Sequence, residues 1–472
     1  MIRDSNLLQH ATVMGPKTKA YGGASAVAKE EWDALSAKLC GRVLCEKDAA
    51  YEEARLQWNL DRLKRPSYVI RCESVSDVEM AVKFCREHSL DVTVASGRHS
   101  PFCFMDETVA IDLEGLHGIH VDTEKRIAHV QGGARLKQLD RECALYGLHV
   151  VAGINPSTGV AGLTLGGGCG YLSPMWGLTI DSFISAQLVT AEGDIVECSD
   201  EQHPDLMWAL RGSGWNYGIV TRFDFFLRPV TTVFTGMAQW PLTHKTSSIL
   251  AEVVRLGYDE YPELSLSLSF ANPEGQPVAI IQPCGLDPDK GAKDWESVKA
   301  RVGLPPPLME DVGPRPYVEL QGMMETLQPP SHCYEKGWLM KDFTPAVADK
   351  VIDALTERPF PGCTLGLAPF GKVANTVPDE ATAFFNRSSR FWLLVLAFFE
   401  EGADNRQRAI DWTKQVRSAF AEYSTGSYVS IVGGMEDDPI ESVYGGNLQR
   451  LKDLKRAWDP TNFFHNNRNV MP

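Results

Sequence analysis

Nowhere does the 472-residue chain carry a run of about 18 apolar residues, the length a bilayer-crossing helix needs, so no membrane span is predicted. Its start, "MIRDSNLLQHATVMG", lacks the unbroken apolar core of a secretory signal, and a cytoplasmic protein is expected. No CxxC pair occurs among its eleven cysteines, which are scattered singly at places such as Cys40, Cys72, Cys143 and Cys363. That pattern suits reduced thiols in an intracellular protein better than a disulfide framework. Positive charge is short as well. The 46 Lys and Arg against 61 Asp and Glu leave a net charge of -15, which disfavours nucleic acid and anionic membranes as partners. HExxH, GxSxG and a Gly-Lys-Ser/Thr phosphate loop are all missing, removing the zinc-protease, serine-hydrolase and P-loop chemistries. His117 and His120 lie in the strand-like "LHGIHVD" without further ligands nearby, so no metal is expected.

What is present is an ordinary globular composition, 44% hydrophobic and 23% charged, on a chain long enough for two domains or one large composite. After a polar extension over residues 1–45, a clear pattern begins at Tyr68. A strand to Cys72 precedes a helix entered through Ser74 to Asp77, with Val78, Ala81, Val82 and Cys85 at helical spacing, and a strand follows over Val92 to Ala95. "IHVDTEKRIAHVQGG" and "FISAQLVTAEGDIVECS" read as hairpins, and "ARLKQLDRECALYG" and "HPDLMWALRG" as helices ended by Gly147 and Gly212. From about residue 231 the texture changes. Alternating strands ("ELSLSLSFAN", "PVAIIQPCG", "RFWLLVLAFFE") are separated by long helices to about residue 427, the order of an antiparallel sheet covered on one face. A basic helix and an Asp-Pro stop close the chain.

Two stretches stand out for chemistry. In "VASGRHSPF" a strand leaves through Ser96, Gly97, Arg98, His99 and Ser100, placing an imidazole among small residues. In "AGINPSTGVAGLTLGGGCGYLSPMWGLTIDS", Gly153, Gly159, Gly162, Gly166, Gly167, Gly168 and Gly170 crowd beside Pro156, Ser157 and Thr158. Glycines gather in this way where backbone must approach a phosphate or a flat ring. A nicotinamide fingerprint is excluded in detail, because the third glycine after Gly166-x-Gly168 falls on Tyr171 and no first βαβ unit precedes it.

The ordered set of S-G-x-H-S, "VAIDL", "VQGGARLKQLDRECALYGLHVVAG", "GLTLGGGCGYLSPMWGLTIDS", "PDLMWALRGSGWNYGIVTRFDF" and "YGGNLQRLKDLKRAWDPTNFFHNNRNV" resembles the FAD-linked oxidoreductases of the vanillyl-alcohol oxidase / p-cresol methylhydroxylase type, within them the berberine-bridge-enzyme-like branch, and is most similar to its 6-hydroxy-D-nicotine oxidase subgroup. The resemblance implies an α+β fold: an FAD domain over residues 46–230, a substrate domain of antiparallel sheet covered by helices over 231–427, and a segment 428–472 completing the FAD domain. It implies FAD bonded through its 8α-methyl to His99, with Ser96 to Ser100 along the pyrophosphate. Asn155, Pro156, Thr158, Gly159, Gly162, Leu163, Gly166, Gly167, Gly168, Gly170 and Tyr171 would run along the flavin, Ile219 and Val220 would meet the adenine half, and Asn467 and Asn469 would lie near the ring.

Departures from the family pattern carry expectations of their own. Asn155 stands where many members have a second flavin-bonding cysteine, so a single histidyl link is expected, with Cys169 a small apolar contact. Ala95 and Arg98 stand where the family has arginine and glycine, and Arg98 is expected to face the pyrophosphate or the flavin edge. The family's tyrosine base falls on Ile431. Tyr428 is retained, as a base or a core aromatic, and Lys336 in "HCYEKGWL" is a buried base or a solvated lysine. Thr158 sits where a valine-sized residue leaves oxygen a path to the flavin, favouring an oxidase that makes hydrogen peroxide over a dehydrogenase. Amine or natural-product substrates, carbohydrates or alcohols, and a non-catalytic binding protein on the same fold all stay open, as monomer or homodimer.

Overall fold

The computed structural model describes residues 21–430 and 438–472. Three sheets organise them, with a two-stranded ribbon alongside. In the first, Arg42–Leu44 (β1) pairs antiparallel with Tyr68–Arg71 (β2). Helix Val75–Glu87 (α1) follows, capped by Ser74, whose hydroxyl accepts from the Asp77 N–H, and it buries Val78, Ala81, Val82 and Cys85 on one face. Val92–Ala95 (β3) and Val109–Asp112 (β4) complete the sheet in the order β1-β2-β4-β3, both parallel to the β2 direction. Their carboxyl ends therefore share one edge, and residues 96–100 leave the sheet there, where open parallel sheets place ligands.

The second sheet is antiparallel and contains both expected hairpins. Ile119–Asp122 (β5) pairs with Ile127–Gln131 (β6) and, beyond helices Leu136–Ala144 (α2) and Val160–Leu165 (α3), Phe183–Val189 (β7) pairs with Ile195–Ser199 (β8). Helix Pro204–Ser213 (α4) kinks at Gly212, whose φ of 132° no side-chain-bearing residue adopts easily, and Ile219–Phe226 (β9) then enters between β6 and β7.

The third sheet has eight strands. Along the chain come Thr232–Pro241 (β10), helix His244–Asp259 (α5), Leu264–Ala271 (β11), Val278–Gly285 (β12), helix Pro288–Val302 (α6), Met309–Pro316 (β13), Cys333–Met340 (β14), helix Pro345–Thr356 (α7), Cys363–Pro369 (β15), Phe391–Phe398 (β16), helix Ala403–Ala419 (α8) and Ser424–Ser427 (β17). In space the order is β13-β10-β12-β11-β15-β16-β14-β17. The α+β class expected from the sequence is the one observed. The sequence did not reveal β13, because Pro314 and Pro316 argue against a strand, and the sheet admits them by placing it at the edge, where a missing N–H costs nothing.

One face of this sheet is roofed by helices, with Leu250, Trp295, Trp338, Val351 and Trp412 buried together. The other face meets the glycine-rich segment, where Leu339 and Trp392 pack with Cys169, Leu178 and Ile180. The two faces sort β14 residue by residue. Tyr334, Trp338 and Met340 belong to the helix side and Leu339 to the other, so the alternation of a strand sends Lys336 toward the helices and Glu335 toward the glycine-rich segment. Helix Leu448–Trp458 (α9) carries the chain back to the first two sheets. Its Leu448, Leu451 and Leu454 enter the core of the second, and Phe463 and Phe464 that of the first. The buried Lys455 ammonium fixes this return by donating to Asn216 O, Asp459 Oδ2 and Phe464 O at 2.7, 2.7 and 3.0 Å. Among the described residues no helix is long and apolar enough to cross a membrane.

Candidate active site around His99

The loop after β3 is held backbone to backbone against the glycine-rich segment. A Cβ on Gly97 would lie 1.9 Å from Gly159 N and 2.9 Å from Thr158 C, so this approach requires glycine. Arg98 follows in the left-handed region, with φ 62°. Its Nη2 donates to Asp112 Oδ2 at 2.7 Å and Glu114 Oε2 at 2.6 Å. The loop conformation thus pairs the guanidinium with two carboxylates at the end of β4, while Arg98 also borders the cavity beside His99.

His99 has partners on two sides. Its ring stacks on Trp58, centroids 5.1 Å apart and planes 12° from parallel, and Nε2 lies 2.8 Å from Ser157 Oγ. Asn155 decides which atom donates. Its Oδ1 accepts from both Ser157 N–H at 3.1 Å and Ser157 Oγ–H at 2.7 Å. With its hydroxyl proton given to Asn155, Ser157 Oγ is open to accept from His99 Nε2–H, the tautomer that leaves the lone pair on Nδ1. Burial, reinforced by the charge of Arg135 and opposed by a hydrogen bond to the Ser157 backbone, pulls the imidazole down to about 3, so the ring is neutral at physiological pH.

The histidine borders a cavity of about 290 Å³. Of the residues singled out from the sequence, Ser96, Gly97, Arg98, His99, Ser100, Asn155, Thr158, Gly159, Gly162, Leu163, Ile219, Val220, Asn467 and Tyr428 all line it, brought from four distant parts of the chain. Features of this wall suit a flat ring with a polar edge. Among the described residues, and apart from its own helix, nothing lies within 4 Å of where a Gly162 Cβ would stand, a gap that a side chain would fill. Asn467 Oδ1 and Trp215 Nε1 are buried with no hydrogen-bond partner among the described residues.

Other expected residues lie elsewhere. Pro156 sits behind the wall, its carbonyl accepting from Lys137 N–H at 2.9 Å. Gly166 is closed in by the Trp215 ring, Gly167 by Phe384, Gly168 by Thr179 and Gly170 by the Ala152 carbonyl, so these four serve protein-to-protein packing. Tyr171 is buried beside Val151 and Val233, and Asn469 donates to Met471 Sδ at 3.1 Å. Lys336 is 3% exposed but on the helix side of the sheet, 3.9 Å from Asp438 Oδ2, and does not border the cavity. Ile431 lies outside the described residues.

Tyr428 borders the cavity inside an aromatic cluster of Phe370, Phe384 and Trp392, its hydroxyl accepting from Gly168 N–H at 3.1 Å. Burial pushes the phenol well above its usual 10, which corrects its reading as a base. Tyr428→Phe is expected to cost about 1 kcal/mol of stability, the worth of one neutral hydrogen bond, with turnover little changed; a large fall in kcat at unchanged melting temperature would restore the catalytic reading. Cys169 is buried beside it, its thiol pushed up to about 12 by burial and therefore uncharged. The sequence missed Trp58, Trp215, Asn466 and Glu335, all in the cavity wall. Only Glu335 left a trace, an acid beside Lys336 in a strand whose other residues carry no charge.

Comparison with known proteins agrees with this geometry. Residues 66–199 match the FAD binding domain model and residues 427–471 the berberine and berberine-like model. A FAD-linked oxidoreductase of Dictyostelium discoideum is 32% identical over 88% of this chain and 91% of its own. The (R)-6-hydroxynicotine oxidase of Paenarthrobacter nicotinovorans is 27% identical over 92% and 97%. The crystal structure of 6-hydroxy-D-nicotine oxidase from Arthrobacter nicotinovorans superposes with a TM-score of 0.83 at 25% identity, covering 92% of this chain and 98% of that one. With two family segments in order and a relative aligned over nearly its whole length, this chain belongs to the FAD-linked oxidoreductases of the berberine-bridge-enzyme-like family.

Proposed function

We propose that this FAD-linked oxidoreductase is an oxidase with a single covalent flavin link, from the 8α carbon to His99 Nδ1, and that it acts on a small organic substrate at a C–H next to nitrogen or oxygen. When bound, the flavin supplies a hydride acceptor at N5 that dioxygen reoxidises, giving hydrogen peroxide. Everything else is the work of the chain. Ser96 to Ser100, Asn155, Thr158, Gly159, Gly162, Leu163, Ile219, Val220 and Asn467 would hold the cofactor, within a domain assigned to residues 46–230 and completed by 428–472. Residues 231–427 supply the substrate side. Thr158, near-isosteric with valine and on the cavity wall, keeps a path for oxygen open.

The observation that carries the reading is the state of His99: neutral, bonded through Nε2 to Ser157, which Asn155 holds in turn, with Nδ1 the nitrogen left for a bond at the cavity. Asn155 replaces the second attachment cysteine, which supports one link rather than two. Acid precipitation tests the link directly, since covalent flavin stays with the protein and bound flavin is released. Ser157→Ala, which frees the imidazole to take either tautomer, is expected to slow attachment about tenfold, the worth of roughly 1.4 kcal/mol, while reversible FAD binding persists and Ser157→Thr restores the rate. Attachment at the wild-type rate in Ser157→Ala would remove the Ser157 contact from the account. The relative named for oxidising (R)-6-hydroxynicotine favours a small amine or natural-product-like substrate over a sugar.

A further inference from the structure

One carboxylate in the cavity has no part in holding the cofactor. Glu335 stands on β14 opposite Leu396 of β16, on the face that meets the glycine-rich segment, and borders the cavity with Trp58, Trp392, Leu394 and Leu396. Among the described residues it is the sole acid in the cavity wall, and no described residue makes a hydrogen bond or salt bridge to it. The cations nearby are committed or distant in role. Arg98 serves Asp112 and Glu114, Arg468 donates to the Asp438 carbonyl at 2.8 Å, and Arg62 is the cation whose field reaches Glu335. Burial pushes the Glu335 carboxyl above its usual range, with the charge of Arg62 acting in the opposite direction.

An acid placed in an aromatic and aliphatic wall is costly unless something brought to it compensates the burial. We propose that Glu335 receives the substrate and that the substrate class it selects is a protonated secondary or tertiary amine on an apolar body. The carboxylate pairs with the ammonium N–H, and Trp58 and Trp392 of the same cavity wall supply apolar surface for the carbons around the charged nitrogen. The same carboxylate then takes the N–H proton. The N–H bond breaks as the carboxyl O–H forms, and the nitrogen regains its lone pair. With FAD bound, that pair would form the new C=N bond while the flavin supplied the acceptor for the neighbouring C–H pair as hydride, so the amine would lose two electrons, with dioxygen the final acceptor. An alcohol or sugar would offer Glu335 one neutral hydrogen bond and no charge to read.

This inference rests on the covalent-flavin oxidase reading, and its test separates the two. Flavin-loaded wild type and Glu335→Gln are titrated anaerobically with N-methylbenzylamine and with benzyl alcohol, following quenching of tryptophan fluorescence. Wild type is expected to bind the amine at least about tenfold more tightly than the alcohol, in line with a charge-assisted hydrogen bond. Glu335→Gln is expected to lose that preference while keeping its alcohol affinity, melting temperature and acid-stable flavin. A wild type without the preference, or a Glu335→Gln protein that retains it, overturns the assignment even when both proteins carry covalent flavin. A wild type with no acid-stable flavin overturns the cofactor reading instead.

Discussion

His99→Ala is expected to yield a protein from which acid precipitation removes all flavin, against full retention in the wild type. The substitution deletes the nitrogen that forms the bond, while the rest of the wall, from Gly97 to Asn467, is untouched and continues to bind FAD reversibly. Acid-stable colour that survived the change would place the link elsewhere, with Cys103 and Cys169 the nearest nucleophiles in the cavity wall. Both thiols are pushed up to about 12 by burial, so neither competes with a neutral imidazole for an electrophilic carbon. A pH signature accompanies the loss. In flavin-free protein the folded state keeps His99 unprotonated down to about 3, whereas the unfolded chain takes the proton near 6.5. The unfolded state therefore binds more protons below about 6.5, and stability falls as the pH drops through that window. Thermal melts of flavin-free wild type and His99→Ala between pH 7 and 4 are expected to converge as the pH falls, because the alanine variant lacks this destabilising proton.

Gly97→Ala has the second large effect, and it acts through the backbone. The added methyl would lie 1.9 Å from Gly159 N and 2.4 Å from Gly159 Cα, atoms that cannot rotate aside. The loop carrying His99 and the loop carrying Asn155 to Thr158 must then part, breaking the Ser157 contact that sets the imidazole. A loss of about 3 kcal/mol or more is expected, at the upper end for a single substitution, together with loss of acid-stable flavin. Gly162→Ala is the contrast. With nothing among the described residues outside its own helix within 4 Å of its Cβ, it is expected to melt like wild type yet bind FAD more weakly, because the methyl enters the space left for the ring. Equal melting temperatures and equal flavin content for both alanine variants would refute the division between packing and cradle glycines.

That division also marks how far the sequence could be read. Period-two and period-3.6 patterns placed β2, α1, β3 and both hairpins, because each buries one face that its own residues declare. The histidine loop was legible because small residues after a strand have few uses. The glycine run was over-read: Gly162 and Gly166 look alike in sequence, but one faces open space and the other the Trp215 ring, and only the path of the chain distinguishes them. Glu335 and Lys336 show the same limit in a strand. Adjacent residues point to opposite faces, and which face meets the cavity depends on the helices α5 to α8 roofing the other side, a choice made far from "HCYEKGWL". The pairing of Arg98 with Asp112 and Glu114 was not legible either, since it depends on a left-handed backbone and on the end of a strand 14 residues further on. Trp58 comes from a segment without a motif and is drawn to His99 where Asn59 hydrogen-bonds the Cys333 carbonyl at 2.7 Å.

Digestion with trypsin cuts after Arg98 and releases the peptide from His99 to Lys125, which contains His99, Cys103, His117 and His120. Fragment mass spectrometry of that peptide from the native yellow protein is the most direct test of the account. The flavin mass is expected on this peptide and on its first residue, His99, with no flavin on the peptide containing Asn155 and Cys169. An unmodified His99 peptide from flavin-bearing protein, or flavin carried by any other residue, would contradict it.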